Sequence, residues 1–148
     1  MMEQMNDAIW PAEPGTYALL IDVTAPLELT VGMLGLIRLS PGRYAYVGSA
    51  HGPGGLRGRL SRHVRRERRR HWHIDYLTEI APVSYVHYQA HMERLECLWS
   101  QRLLGLSGAS APAPRFGSSD CRAGCFAHLI RLPDGLRCDQ LEEILRDD

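Results

Sequence analysis

The chain contains no lysine: all 17 basic residues are arginine. That excludes a Walker-type phosphate loop, which needs a lysine on the terminal phosphates, and any Schiff-base mechanism. Long apolar runs are missing too. No stretch reaches the roughly 18 apolar residues of a membrane span, and the N-terminus has neither the basic nor the apolar region of a secretion signal. A cytoplasmic protein with no membrane partner is expected, and in that compartment Cys97, Cys121, Cys125 and Cys138 are expected to be reduced thiols. Net charge is zero, so the molecule as a whole has no field to steer an anionic partner. At 148 residues, 45% of them hydrophobic, the chain is long enough for one ordinary globular core. A polar leader over residues 1–14 and a single domain over 15–148 are expected.

What the sequence does have is arginine in one place. Eight of the fourteen residues from 57 to 70 are Arg, offset within that stretch by Glu67 alone. Acidic residues gather instead near the C-terminus, at Asp134, Asp139, Glu142, Glu143, Asp147 and Asp148. Guanidinium forks match phosphate oxygens in pairs, so this asymmetry predicts a nucleic-acid-binding face. Arg57, Arg62, Arg66, Arg69 and Arg70 are expected to contact its backbone, joined by His71 and His73 with Trp72 as an anchor. Such contacts position a substrate without reading its sequence; the competing reading is a solvated charged face. The loop ahead of the helix carries Gly52, Gly54 and Gly55, which either let the backbone turn tightly or present amides to a phosphate at the helix start.

The pattern of apolar residues predicts an α+β fold. Strands are expected over residues 16–23, 27–31, 34–39, 44–48, 83–90 and 126–132, the first four as an antiparallel meander. In a helix over 56–70, Leu56, Leu60 and Val64 form one stripe, with Arg59 and His63 one turn apart at its edge. Residues 71–80 read as a short helix or irregular turn, 105–119 as a long loop and 139–145 as a closing helix. In a helix over 92–104, Met92, Leu95, Trp99 and Leu103 share a face, and Glu96 falls among them. A carboxylate there is costly unless paired with an arginine or bound to a metal; Glu93 is the reserve candidate. Cys121, Cys125 and His128, with or without Cys97, form a secondary zinc candidate whose spacing is not the usual Cys-x-x-Cys.

Gly15-Thr16-Tyr17 on the first strand and Tyr46-Val47-Gly48 on the last strand before the helix resemble the paired signature of the GIY-YIG nuclease superfamily. The helix segment from Leu56 to His63 is similar to that superfamily's Arg-and-aromatic helix. His71-Trp72-His73-Ile74-Asp75-Tyr76-Leu77 and residues 43–55 and 116–129 resemble, more specifically, a subgroup that occurs alone or fused to an endonuclease III-type glycosylase. The resemblance implies a small, mostly antiparallel central sheet flanked by helices, with residues 27–39 as an inserted hairpin and a C-terminal strand-helix extension. It also implies a nuclease of DNA, in preference to RNA, using one Mg2+ or Mn2+, with a place in DNA repair or processing and a link to a base-excision glycosylase. Carried over by position, Tyr17 and Tyr46 would position or activate the attacking water and Arg59 would bind the scissile phosphate. His63 would fill the helix position held by Tyr or His, and Glu96 would hold the metal. The superfamily's late Asn has no counterpart, since Asn6 is the only asparagine; Asp120, Ser118 or Ser119 would stand in for it. That departure favours the alternative of a non-catalytic nucleic-acid-binding module on the same fold. A zinc-stabilised interaction domain is the third reading.

Overall fold

The first strand, β1 (Gly15–Val23), is buried along its whole length apart from Asp22, as a strand covered on both faces must be. The computed structural model describes residues 10–65, 70, 72–118, 125 and 127–146. Next come β2 (Leu27–Val31), β3 (Gly35–Leu39), β4 (Gly42–Ala50) and α1 (Gly55–Val64). They are followed by α2 (His73–Thr78), β5 (Val83–Ala90), α3 (Glu96–Leu104), β6 (Leu129–Arg131) and α4 (Cys138–Leu145). The central sheet has the order β5-β1-β4-β6, antiparallel throughout.

The α+β class, the central antiparallel sheet and the flanking helices match the expectation. The first four strands are not a continuous meander, however. β1 pairs with β4, while β2 and β3 pair only with each other, in a separate two-stranded sheet that leaves between them and packs on α2. Two helices also differ from their expected spans. α1 ends at Val64, and Arg65 has extended dihedrals. Val64 is the last residue of the apolar stripe, so the arginines beyond it have no face to bury, and packing is what sustains most short helices. α3 begins at Glu96, not near Met92, which is 80% exposed.

Residues 10–14 are built into the fold. Trp10 is fully buried, and its carbonyl accepts a hydrogen bond from Arg57 Nε at 2.8 Å. The carbonyls of Glu13 and Pro11 accept the amides of Leu56 and Arg57, both at 2.8 Å, and those of Gly52 and Gly54 accept the amides of Gly55 and Gly58. The first turn of α1 is thereby satisfied by backbone, so the amides from Gly55 to Gly58 are already occupied and do not await a phosphate. Gly55 itself, at φ 57°, lies so close to the carbonyls of Ala12 and Glu13 that a Cβ would collide with them.

Candidate active site

Strand register brings the two tyrosines together. Tyr17 is paired with Gly48, and Tyr46 with Leu19, so both phenols project from the same face of adjacent strands. Tyr17 lies across its partner: a Cβ on Gly48 would sit 2.5 Å from the phenol oxygen and 2.6 Å from Cζ. Gly117, at φ 74°, backs Tyr46 in the same way, with a Cβ there only 2.7 Å from Cε1. Burial is the main reason both phenols ionise well above the usual tyrosine range, although the Arg59 guanidinium pulls Tyr17 the other way. Both stay protonated at neutral pH.

Helix α1 supplies the cation. Arg59 Nη1 donates to the Ser49 carbonyl at 3.0 Å, and the guanidinium lies 4.3 Å from the centre of the Trp72 ring. A side chain held at both points has already lost much of its rotamer freedom. His63, one turn on, is buried behind Tyr17; its Nε2 shares a 2.7 Å hydrogen bond with the phenol oxygen. It does not line the cleft itself but backs residues that do: Tyr17, and the Trp72 ring 5.6 Å from its own.

The carboxylate comes from α3. Glu96 is that helix's first residue, 25% exposed and 4.0 Å from Nδ1 of the buried His128. Helix α3 starts there because the Leu95 amide donates to Thr16 Oγ1 at 3.0 Å. Glu96 is therefore at the rim of an apolar face, not within it, and is not paired with an arginine of α1 among the described residues. Tyr17, Tyr46, Arg59, Trp72, His73 and Glu96 all line one cleft of 540 Å³. Sequence reasoning overlooked His51 and Arg94, which share it. His51 sits in the glycine-rich loop and Arg94 two residues before Glu96, and nearness to known motifs was the only available signal.

Two arginines of the expected nucleic-acid face are held by carboxylates of the protein itself. Arg62 lies 3.4 Å from the buried carboxylate of Asp75 and 4.7 Å from the Trp72 ring. Arg70 donates through Nε and Nη2 to both oxygens of Glu79, at 2.7 and 2.8 Å, and covers Tyr76. Both guanidiniums serve intramolecular carboxylates first, because α2 brings those carboxylates within reach. Arg57 is exposed, with Nε on the Trp10 carbonyl. His73 faces the cleft, and its Nδ1 accepts the Gly117 amide at 2.9 Å. Asp75 accepts the Trp72 amide at 2.9 Å and fixes the start of α2. Arg66, Arg69 and His71 lie outside the described residues, as do Cys121, Ser119 and Asp120; Ser118 does not line the cleft.

Three side chains beside the cleft are suited to a softer metal. Ligand atoms of Cys97, Cys125 and His128 lie within 4.8 Å of one another. Burial lowers the affinity of His128 for a proton, opposed by Glu96 and the Gly117 backbone, and so favours the neutral imidazole that can ligate.

No helix among the described residues is long and apolar enough to cross a membrane. No curated protein and no solved structure matches the chain. Residues 16–147, nearly the whole length, match the family model of the domain of unknown function DUF123, and the chain belongs to that family.

Proposed function

We propose that this protein is a metal-dependent endonuclease that hydrolyses phosphodiester bonds in DNA. The observation that carries the reading is the meeting of one carboxylate, one guanidinium and two phenols, drawn from α3, α1, β1 and β4, around a single cleft. Phosphodiester hydrolysis needs charge neutralised on the phosphoryl oxygens and a water held in line.

Arg59 suits the first task. Its stacking on Trp72 and its bond to the Ser49 carbonyl hold the fork at the cleft wall before any substrate arrives. Glu96 suits a divalent cation: a hard oxygen donor, partly exposed, and the acidic residue among the described residues that line the cleft. Mg2+ commonly binds through one or two carboxylates and completes its shell with water and phosphate oxygens. Held there, Mg2+ or Mn2+ would neutralise charge developing on the phosphoryl group.

The phenols orient the water. Because burial keeps them protonated, neither serves as a preformed phenolate base. In the tautomer whose Nε2 accepts the Tyr17 O–H, the phenol oxygen has lone pairs left to accept a hydrogen from the attacking water. As that proton arrives, the phenol passes its own to His63, so no full phenolate forms in the buried site. DNA backbone would lie along the arginine-rich stretch that follows α1, of which Arg65 is exposed, and substrates in repair or processing fit a site that reads no bases. The link to a base-excision glycosylase belongs to the same proposal.

The test is cleavage of duplex, branched and single-stranded DNA, with RNA for comparison, in Mg2+ or Mn2+. Glu96→Gln and Arg59→Ala should each reduce the rate by about 10²–10³-fold or more, with substrate binding kept in Glu96→Gln. Cutting at the wild-type rate in both variants would refute the assignment. The second reading, a binding module without chemistry, draws support from the same buried, protonated phenols. Salt-sensitive DNA binding with no cleavage under either metal selects it.

A further inference from the structure

Helix α3 carries two adjacent residues of opposite chemical taste. Glu96 offers a hard oxygen to the cleft, while Cys97 offers sulfur to Cys125 and His128, with all three ligand atoms within 4.8 Å of one another. The trio joins separate parts of the chain: Cys97 is on α3, and the other two lie just ahead of β6. His128 is 2% exposed, yet neither ring nitrogen completes a hydrogen bond with any described group. Among the described residues that imidazole is short of the close partner that buried polar groups normally have, even with the Glu96 carboxylate 4.0 Å away.

We propose that Cys97, Cys125 and His128 bind a zinc ion that ties the start of α3 to the segment before β6. Two thiolates and an imidazole are the donors that zinc selects and that magnesium and calcium avoid. Bonds of about 2.3 Å to sulfur and about 2.0 Å to nitrogen would draw the three ligand atoms to somewhat under 4 Å apart. The three ligand atoms, already within 4.8 Å of one another, are close to that spacing. His128 presents Nδ1 toward Glu96 at 4.0 Å, which leaves Nε2 for the metal. Closing that 4.0 Å gap would complete the carboxylate–histidine–metal arrangement in which the outer acid fixes the ring's tautomer and direction. The ion would thereby position Glu96 at the cleft without entering the reaction, and the site stands whether or not the cleft cuts DNA. Both thiols lose their protons as the metal binds.

Elemental analysis of protein purified without added metal should find one zinc per chain that survives dialysis. Cobalt(II) exchanged into the site should give thiolate charge-transfer absorption and the strong visible bands of a tetrahedral centre. Both signals should be lost in Cys97→Ser, Cys125→Ser and His128→Ala and kept in Cys138→Ser, whose sulfur sits instead by Arg43. Should those variants fail to fold, wild-type protein still decides the matter. A chelator should expose Cys97 and Cys125 to alkylation, mapped by mass spectrometry, while Cys138 reacts equally in both states. Protein without zinc that gives no cobalt spectrum, or a disulfide between Cys97 and Cys125 in the metal-free chain, would overturn the proposal.

Discussion

On β1, Tyr17, Leu19 and Ile21 project to one side of the central sheet, and Ala18 and Leu20 to the other. The first side is aromatic and mixed: Tyr17, Tyr44, Tyr46 and Phe116 pack there under α1 and α2, and the buried His63 and Asp75 lie among them. The second is built from smaller and aliphatic groups, with Ala18, Leu20, Ala45 and Val47 meeting Trp99, Leu103, Leu141 and Leu145. Polar groups are few there, and Thr16 holds the Leu95 amide at the start of α3. The division of labour is not complete, because α3 is seated on the second side and yet sends Glu96 into the cleft lined by phenols of the first. A site precise in its geometry needs side chains held by a rigid scaffold. The apolar side is that scaffold, and the aromatic side carries the tension between burial and chemistry.

If the two sides divide the work in this way, damage to the second should cost stability and spare the cleft. Leu141 on α4 is fully buried in the core of the second side, whereas α1, which carries Arg59, packs on the first. Leu141→Ala should lower the unfolding free energy by about 2–5 kcal/mol, read by urea denaturation. The fraction that remains folded should still show cleavage sensitive to Arg59→Ala. A loss of activity in fully folded Leu141→Ala protein would break the comparison.

The converse experiment strikes the first side at Gly48. A methyl group there would be 2.5 Å from the Tyr17 oxygen and 2.6 Å from Cζ, and a central strand gives neither residue room to retreat. Gly48→Ala should cost about 1–3 kcal/mol through overpacking and should also turn Tyr17 away from His63, lowering cleavage beyond what the stability loss explains. Adding Tyr17→Leu should restore stability without restoring activity, measured by denaturation and by cleavage rate in the same preparations. Equal recovery of both would mean that the glycine matters only for packing.

Most of the scaffold was legible in the sequence and much of the site was not, for one physical reason. β5 begins and ends where its apolar pattern does, and β2 and β3 form where short apolar stretches flank a glycine turn. Those are local signals. The end of α1 at Val64 is also local in hindsight, since the apolar stripe stops there. The start of α3 at Glu96 depends on Thr16, and the commitment of the α1 amides depends on the carbonyls of Pro11 and Glu13. Both are contacts between distant stretches of chain that no periodicity records. Helical spacing put Arg59 and His63 at one edge, yet only the fold separates their settings, one lining the cleft and the other hidden behind Tyr17. Arg62 and Arg70 read as free phosphate ligands until α2 is in place with Asp75 and Glu79.

The smallest effect sharpens the comparison by pH. His87 pairs with Ala18 across β1 and β5 and lies 5.4 Å from the Trp99 ring, on the apolar side. Burial first, and then the charge of Arg146, press its pKa down from 6.5 to about 4. Its folded-state pKa is the lower one, so between those two values the unfolded chain takes up the proton and the folded chain resists it. Stability should therefore fall as pH drops from about 6.5 to about 4 and level off below, with no contribution from His87 above that window. The full shift corresponds to at most about 3 kcal/mol, and solvent reaching the half-buried ring reduces that to about 2 kcal/mol. Urea denaturation across the window, comparing wild type with His87→Leu, isolates the term: the leucine variant should lose less stability on acidification. Parallel curves for the two proteins would mean that the apolar side accepts a charged imidazole at His87, and the contrast between the faces would then rest on packing alone.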